Sequence, residues 1–170
     1  MMGATDTNRG VDFGRIERDH VRSRLYPAFD WLAFDGFTPY NPLLVPLAEA
    51  RVAFVTTAGA HLPSQAPFDL KSTDGDPSYR AFPVETRLDD LVLTHSGYDT
   101  RRAREDKNVV LPLDHLRAAE AAGRIGSLAP TVYSCMGYVA DVTPLMEETA
   151  PSIATRLTAD GTDLVLLAPT

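Results

Sequence analysis

The fold is decided by the stretch Arg51-Val52-Ala53-Phe54-Val55-Thr56-Thr57, which leads into Ala58-Gly59. Its almost continuous apolar and β-branched character is typical of a strand that is buried on both faces of a parallel sheet. Two other apolar runs, Leu91–His95 and Asp163–Pro169, predict buried strands of the same kind, and residues 80–84 predict a short one. The sequence therefore predicts a sheet that forms the centre of the domain.

Helical patterns alternate with these strands. Residues 113–122 predict a helix that ends at Gly123, and residues 143–159 predict one that begins at Thr143 and ends at Gly161, while residues 125–139 predict irregular or extended chain. This order indicates an α/β fold of three layers with a mostly parallel sheet, Rossmann-like or flavodoxin-like. The sequence leaves open whether the sheet is complete at its C-terminal end.

The chain has 170 residues, which suits one domain with its own hydrophobic core. Residues 1–42 predict an N-terminal arm, made of a helix and an aromatic-rich packing segment, and residues 43–170 predict the α/β domain. We expect the aromatic segment, residues 29–40, to pack on the domain or on a partner chain, because so apolar a segment is unstable in water.

Composition excludes some classes of partner and compartment. The formal net charge is −7, from 16 basic and 23 acidic residues, which argues against nucleic acid or an anionic membrane as the main partner. No apolar run reaches the ~20 residues of a membrane span, and residues 1–10 lack the apolar stretch of a secretory signal. Cys135 is the single cysteine, which fits a reducing compartment. We expect a cytoplasmic protein.

The predicted site lies where the strands end. The carboxyl ends of parallel strands meet at one edge of a sheet, and small molecules bind in the crevice beyond them. A small-molecule site is therefore expected after the strands at 51–57 and 91–95. The predicted substrate-binding residues are Thr57, Gly59, His61, Ser96 and Tyr98.

Three residues are candidates for catalysis. His95 ends an apolar strand, and histidine can exchange protons near neutral pH. Asp99 could orient His95, although His95 could equally tie the loop to the sheet and Asp99 could cap its own turn. Cys135 is a nucleophile only if its pKa is lowered, and free cysteine more often acts as a small buried hydrophobic residue. None of these residues has a recognised metal-ligand spacing, so no metal is predicted.

A set of short sequence blocks resembles the selenoprotein B family, the B subunits of glycine, sarcosine and betaine reductases and of D-proline reductase. The blocks follow the order of that family over roughly residues 45–170. They are Arg51–Leu62, Pro67–Leu70, Gly75–Arg80, Leu93–His95, Tyr98–Asp99, Asp106–Asp114, Ile125–Pro130, Met136–Tyr138 and Glu148–Pro151.

The resemblance implies an oxidoreductase subunit in the reductive cleavage of a C–N bond of a small amine or amino acid. It implies a partner subunit whose pyruvoyl group binds the substrate amine, and a selenocysteine or cysteine of the B subunit that attacks the activated carbon. That redox motif follows the strand that is here Leu164 to Thr170. The chain contains no selenocysteine, and Cys135 does not lie at the redox position. We therefore expect no cofactor bound by this chain itself.

Four interpretations stay open, and with them the question of whether the chain is an enzyme. It could be the first part of a longer reductase subunit, whose in-frame UGA codon was read as a stop before the redox motif. It could be a non-catalytic binding or scaffold subunit that has lost the redox half. Its site could be completed by a partner or in a homo-oligomer. Finally, it could be a small-molecule enzyme that uses His95 with Cys135.

Overall fold

The computed structural model describes residues 41–95 and 100–170. The strands are β1 (Arg51–Thr56), β2 (Ala60–His61), β3 (Arg80–Pro83), β4 (Val92–Leu93), β5 (Ser127–Ser134) and β6 (Leu164–Ala168). The α-helices are α1 (Thr100–Glu105), α2 (Leu113–Ala121) and α3 (Ala150–Ala159). Short 3-10 turns lie at Leu88–Asp90 and Lys107–Val109, and a π-helical turn, Leu145–Thr149, precedes α3.

The main sheet has four strands in the order β3-β5-β1-β6. Strand β1 is parallel to β5 and β6, whereas β3 is antiparallel to β5. The α/β class is confirmed, but the prediction of a mostly parallel sheet is wrong, because the sheet is mixed. The run at 91–95 does not enter it: only Val92–Leu93 are a strand, and they pair antiparallel with β2 in a separate sheet. The three-layer Rossmann-like or flavodoxin-like arrangement stays a prediction.

Strand β5 lies next to β1 in a region that the sequence predicted to be irregular or extended. Its register against β1 jumps from Val52 opposite Leu128 to Phe54 opposite Val132. Pro130 lies inside this jump. Proline lacks the N–H that a strand ladder needs and is tolerated at bulges, so the irregular register explains how a proline fits within a strand.

Both long helices end as the sequence predicted. Gly123 and Gly161 follow α2 and α3 with φ values of 65° and 67°, the left-handed conformation in which glycine is least strained. Thr143 does not cap the second helix with its side chain as predicted. Its backbone N–H donates to Oδ1 of Asp141 at 3.0 Å, and the π-helical turn begins two residues later.

The sheet carries apolar clusters on its two faces, because successive side chains of a strand point to opposite sides. The first cluster contains Phe54 and Val132 and includes Leu113 of α2. The second contains their neighbours Ala53 and Tyr133 and includes Ile153 and Leu157 of α3.

Strand β6 forms one edge of the main sheet, and the prediction that it is buried is wrong. The exposed fractions of its side chains are 38% for Leu164, 37% for Val165, 41% for Leu166 and 67% for Leu167. Alternate residues of a strand face opposite sides, so apolar surface is exposed on both faces of β6. Edge strands of this kind are places where another chain can pair or pack.

Several predictions concern residues outside the described ranges. The predicted N-terminal arm lies outside them apart from residues 41 and 42, and so do its helix and its aromatic segment at 29–40. The division of the chain at residue 42 stays a prediction. Within residues 41–95 and 100–170, no helix is both long and apolar enough to cross a membrane.

Candidate functional site

Four segments meet beyond the carboxyl ends of β1, β5 and β6. Thr57, which follows β1, donates its backbone N–H to the carbonyl oxygen of Ala168 at 3.1 Å. Its side-chain oxygen Oγ1 accepts the N–H of Thr170 at 2.8 Å. Gly137, three residues after β5, donates its N–H to Nε2 of His95 at 3.2 Å. We call Thr57, His95, Gly137 and Thr170 the His95 group.

The close packing at Gly137 shows how tightly this group converges. A Cβ atom at position 137 would lie 2.9 Å from Nε2 of His95, 2.9 Å from the carbonyl oxygen of Thr170 and 3.4 Å from Oγ1 of Thr57. The first two distances are shorter than a normal carbon contact, so only glycine fits without displacing its neighbours. No role was predicted for Gly137 from the sequence. The only local signal is its place in the Met136–Tyr138 block, because a glycine side chain carries no chemistry of its own.

The protonation state of His95 follows from its surroundings. The Gly137 N–H can only donate, so Nε2 must offer its lone pair, and the neutral ring then carries its proton on Nδ1. Burial disfavours the charged ring and lowers the pKa of His95 from its ordinary 6.5. At pH 7 His95 is therefore a neutral ring with one nitrogen held by the backbone.

Gly59 brings the segment of His95 to this edge. Its φ is +66°, and a Cβ there would lie 2.1 Å from the carbonyl oxygen of Thr94. Its carbonyl accepts the N–H of Thr94 at 2.9 Å, and its own N–H donates to the carbonyl of Cys135 at 3.0 Å. Gly59 is buried, so the structure places this predicted substrate-binding residue beneath the edge, where it joins the β4 segment to the end of β5.

His61 is only 4% exposed, and its ring contacts residues outside the His95 group. Its Nδ1 lies 2.8 Å from the carbonyl oxygen of Leu62, and its Nε2 lies 2.8 Å from Oγ1 of Thr94. A carbonyl only accepts, so Nδ1 carries a proton and donates it. The ring also meets Phe68 edge-on, with the centroids 6.3 Å apart. Both nitrogens are thus engaged by the protein, which favours a structural role.

Cys135 is 7% exposed and belongs to the apolar cluster of the α3 face, with Tyr133 and Ile153. Burial raises the pKa of the thiol to about 11, against a smaller opposing effect of the Arg80 charge. A thiol with this pKa is almost wholly protonated at neutral pH and is a poor nucleophile. No hydrogen bond among the described residues joins Cys135 to His95, and their use as a catalytic pair stays a prediction that the buried, protonated thiol disfavours.

A buried ion pair closes the loop that precedes β3. Arg80 lies 3.6 Å from a carboxylate oxygen of Asp76, and its guanidinium lies 4.3 Å from the centre of the Phe68 ring. Desolvation pushes the pKa of Asp76 upward, but the hydrogen bonds from Ser78 and Asp69, together with the Arg80 charge, outweigh it and hold the pKa below 3.8. Apart from Arg80, which begins β3, these partners belong to the loop itself, so the pair holds the loop against the start of the strand.

The remaining predicted site residues are not placed. Ser96, Tyr98 and Asp99 lie outside the described residues, and their roles stay predictions. Within the described part of the chain, no three His, Cys, Asp or Glu side chains lie close enough to hold a metal ion.

The fold and the His95 group define an α/β domain with a candidate small-molecule site at the carboxyl edge of its parallel strands. Comparison with known proteins gives the family. The chain belongs to the glycine/sarcosine/betaine reductase selenoprotein B family, which it matches over residues 28–170. The resemblance noted in the sequence is therefore confirmed. No solved structure matches the chain.

Three curated relatives show the range of the family. The D-proline reductase subunit gamma of Acetoanaerobium sticklandii is 36% identical over 128 residues, which cover 75% of this chain and 52% of that protein. The glycine reductase complex component B subunit gamma of Carboxydothermus hydrogenoformans is 34% identical over 168 residues, or 95% of this chain and 37% of that protein. The sarcosine reductase complex component B subunit beta of Peptoclostridium acidaminophilum is 30% identical over 141 residues, or 81% of this chain and 31% of that protein. The chain thus spans about half of the first relative and about a third of the other two.

Proposed function

We propose that this chain is a subunit of a reductase complex of the glycine, betaine or D-proline type, and that its His95 group contacts a small amine or amino-acid substrate. The observation that carries the proposal is the convergence of His95, Thr57 and Gly137 at the carboxyl edge of β1 and β5. Family membership supports it, because the relatives are named as components of such reductases. The edge is also where α/β sheets place small ligands.

The side chains of the group suit a substrate that carries a carboxylate. The Thr57 hydroxyl accepts the N–H of Thr170 and keeps its own hydrogen to donate to another acceptor. His95 carries its proton on Nδ1 while Gly137 holds Nε2. In this proposal the chain orients the substrate and exchanges protons with it, and it does not form a covalent bond to the substrate.

The nucleophile of the reaction comes, in this proposal, from outside these 170 residues. Cys135 is the only cysteine of the chain, and its burial raises the pKa of the thiol to about 11. A soft nucleophile needs the opposite environment, one that is accessible and stabilises the thiolate. We place that atom outside residues 1–170, and we assign the pyruvoyl group that the family resemblance implies to a partner subunit of a cytoplasmic complex.

Strand β6 is the proposed contact with the partner subunit. It presents four apolar side chains at a sheet edge, and Leu167 is the most exposed at 67%. The edge ladder and the apolar faces of such a strand can both be covered by another chain. We expect Leu167→Asp to keep the fold and weaken assembly with a co-expressed pyruvoyl-type subunit, measured by size-exclusion chromatography with light scattering. Loss of a self-associated species without any complex would instead indicate a homo-oligomer.

The substrate role is tested by binding and turnover in the co-expressed complex. Glycine, betaine and D-proline are titrated by calorimetry, and turnover is followed with a dithiol as the electron donor. We expect His95→Gln to weaken the binding of the preferred amine by about tenfold or more, because a hydrogen bond to a charged group is lost. The matched control is His115→Gln, which changes an exposed histidine of α2. Equal affinities in both variants would contradict the role of His95.

A non-catalytic binding or scaffold subunit is the second candidate. The buried, protonated thiol of Cys135 and the exposed strand β6 favour it, since both fit a chain that assembles without reacting. It predicts a stable complex that binds none of the three amines through the His95 group. The titrations above therefore separate the two candidates directly.

A further inference from the structure

A buried contact joins the ring of His61 to the residue that precedes His95. Nε2 of His61 lies 2.8 Å from Oγ1 of Thr94, and Nδ1 lies 2.8 Å from the carbonyl oxygen of Leu62. Because the carbonyl keeps the proton on Nδ1, Nε2 of the neutral ring offers a lone pair, and the Thr94 hydroxyl donates to it. His61 therefore directs the side chain of Thr94 from the interior of the domain.

Thr94 is held by residues 59–61 through its backbone as well as its side chain. Its N–H donates to the carbonyl oxygen of Gly59 at 2.9 Å. Its own carbonyl oxygen packs so closely on Gly59 that a Cβ there would lie 2.1 Å away. Thr94 shares a peptide bond with His95, so the anchoring of Thr94 sets the point from which the imidazole extends toward Gly137.

The ring of His61 is braced against β3 of the main sheet. Leu62, whose carbonyl accepts from the ring, donates its N–H to Oε1 of Gln65 at 2.8 Å, and the amide of Gln65 donates to the carbonyl oxygen of Ala81 at 2.8 Å. The ring also contacts Phe68 edge-on. Turning the imidazole of His61 would therefore disturb contacts that lead to β3.

Phe68 is itself fixed by the first residue of β3. The guanidinium of Arg80 lies 4.3 Å from the centre of the Phe68 ring. It also donates to the carbonyl oxygens of Ala66 at 2.7 Å and Pro67 at 3.1 Å. The segment that surrounds His61 is thus tied to β3 at both Arg80 and Ala81, which makes His61 a rigid support for Thr94.

We propose that His61 is a positioning residue that acts through the Thr94 hydroxyl to hold the imidazole of His95 against Gly137. This inference deepens the proposed function and rests on it for any effect on substrate binding, whereas the orientation of the ring is a property of the chain itself. It also explains why a histidine is buried here. An apolar side chain would fill the space but would offer Thr94 no acceptor.

The Thr94 hydroxyl can be removed with little change of shape, because Thr94→Val is nearly isosteric, while Thr94→Ser keeps the donor. The readout is NMR of the full chain: the ring nitrogens of His95, assigned by their loss in His95→Gln, and the amide of Gly137. We expect wild type and Thr94→Ser to carry the His95 proton on Nδ1. Thr94→Val should release the ring to exchange between its tautomers, with the pKa of His95 moving back toward 6.5.

Variants of His61 test the other side of the contact. His61→Leu should reproduce the effect of Thr94→Val, whereas His61→Gln, whose amide oxygen can accept, should keep the wild-type spectrum of His95. The matched control is Thr149→Val, which removes a buried hydroxyl that donates to the carbonyl oxygen of Pro77 at 2.7 Å. It should leave the His95 ring unchanged. Urea unfolding verifies that each variant is folded, and if His61→Leu does not fold, the Thr94 variants decide.

Amine binding by the co-expressed complex separates this inference from the proposed function. Thr94→Val should weaken binding about threefold to tenfold, and it should have no further effect in the His95→Gln background, because its effect passes through His95. An unchanged His95 ring in Thr94→Val, the same change in Thr149→Val, or a further loss of binding in the His95→Gln background would overturn the positioning role. A displaced ring with unaltered amine binding would support that role and contradict the proposed function of the His95 group.

Discussion

The buried thiol of Cys135 makes a quantitative prediction about stability in alkaline solution. Burial raises its pKa from 9.0 to about 11, so the folded chain keeps a proton that the unfolded chain releases between those values. A raised pKa means that the stabilisation is complete below pH 9 and is lost as the pH rises toward 11. Each pKa unit corresponds to about 1.4 kcal/mol, so Cys135 alone should remove about 1.4 kcal/mol of unfolding free energy between pH 8 and pH 10.

The assay is urea unfolding followed by circular dichroism at pH 8 and pH 10. Burial also raises the pKa of Tyr133, with further effects from nearby charges, so the wild-type loss contains more than the Cys135 contribution. The comparison is therefore the wild type minus Cys135→Ala, which keeps Tyr133 and removes only the thiol. The lost packing of Cys135→Ala lowers stability at both pH values and cancels in the difference. We expect the variant to lose about 1.4 kcal/mol less than the wild type over this range.

Two results would refute this reasoning. One is an identical pH dependence of the wild type and Cys135→Ala. The other is rapid labelling of the native thiol by a disulfide reagent near pH 7.5, at a rate close to that of the unfolded chain, since burial and a pKa of about 11 both oppose it. Either result would again favour the hypothesis of an enzyme that uses His95 with Cys135. In the reductase proposal, Cys135→Ser keeps amine binding.

Three further predictions follow from single residues and are measured by urea unfolding. Gly59→Ala should lower the free energy of unfolding by at least about 3 kcal/mol, because it adds a clash with the Thr94 carbonyl at 2.1 Å to the left-handed strain. Gly123→Ala has the same strain but nothing within 4 Å, so it should cost only about 1 kcal/mol. Equal losses in the two variants would disprove the close approach at Gly59. The pKa of His95 is lowered below 6.5, so stability should fall as the pH drops below 6.5, and His95→Gln should remove this part of the slope. The pKa of Asp76 is held below 3.8, so the stability that it contributes above that pH should be lost as the pH falls, and Asp76→Asn should show a shallower loss in acid.

The features that the sequence predicted correctly depend on local signals. Strand β1 is a β-branched apolar run, and α2 and α3 each end at a glycine in the left-handed conformation. A strand or helix of this kind carries its own propensity and its own stop signal within a few residues. Such local signals predict the element independently of how the rest of the chain packs against it.

The features that were missed depend on distant partners. Strand β5 contains Pro130, and its pairing with β1 becomes visible only when the register jump is known. The runs at 91–95 and 163–169 are predominantly apolar, as β1 is, yet the first yields a two-residue strand in a separate sheet and the second an exposed edge. An apolar composition indicates a strand. The order and direction of the strands in the sheet, and the burial of each strand, depend on contacts with distant residues that a local pattern does not contain.

The position of His95 depends both on a local sequence signal and on contacts with distant parts of the chain. From the sequence we predicted that His95 lies at the sheet edge, because residues 91–95 were assigned to the parallel sheet. That assignment is wrong. His95 reaches the edge because Gly59 lets the backbone of Thr94 come within hydrogen-bonding distance of the chain after β1, and because Gly137 leaves space for the imidazole. Two residues without side chains therefore hold the imidazole of His95 at this edge. A search for functional residues by chemical type finds His95 but overlooks Gly59 and Gly137. Substitution of either glycine should nevertheless displace the imidazole of His95, as a change in the residues next to His95 would.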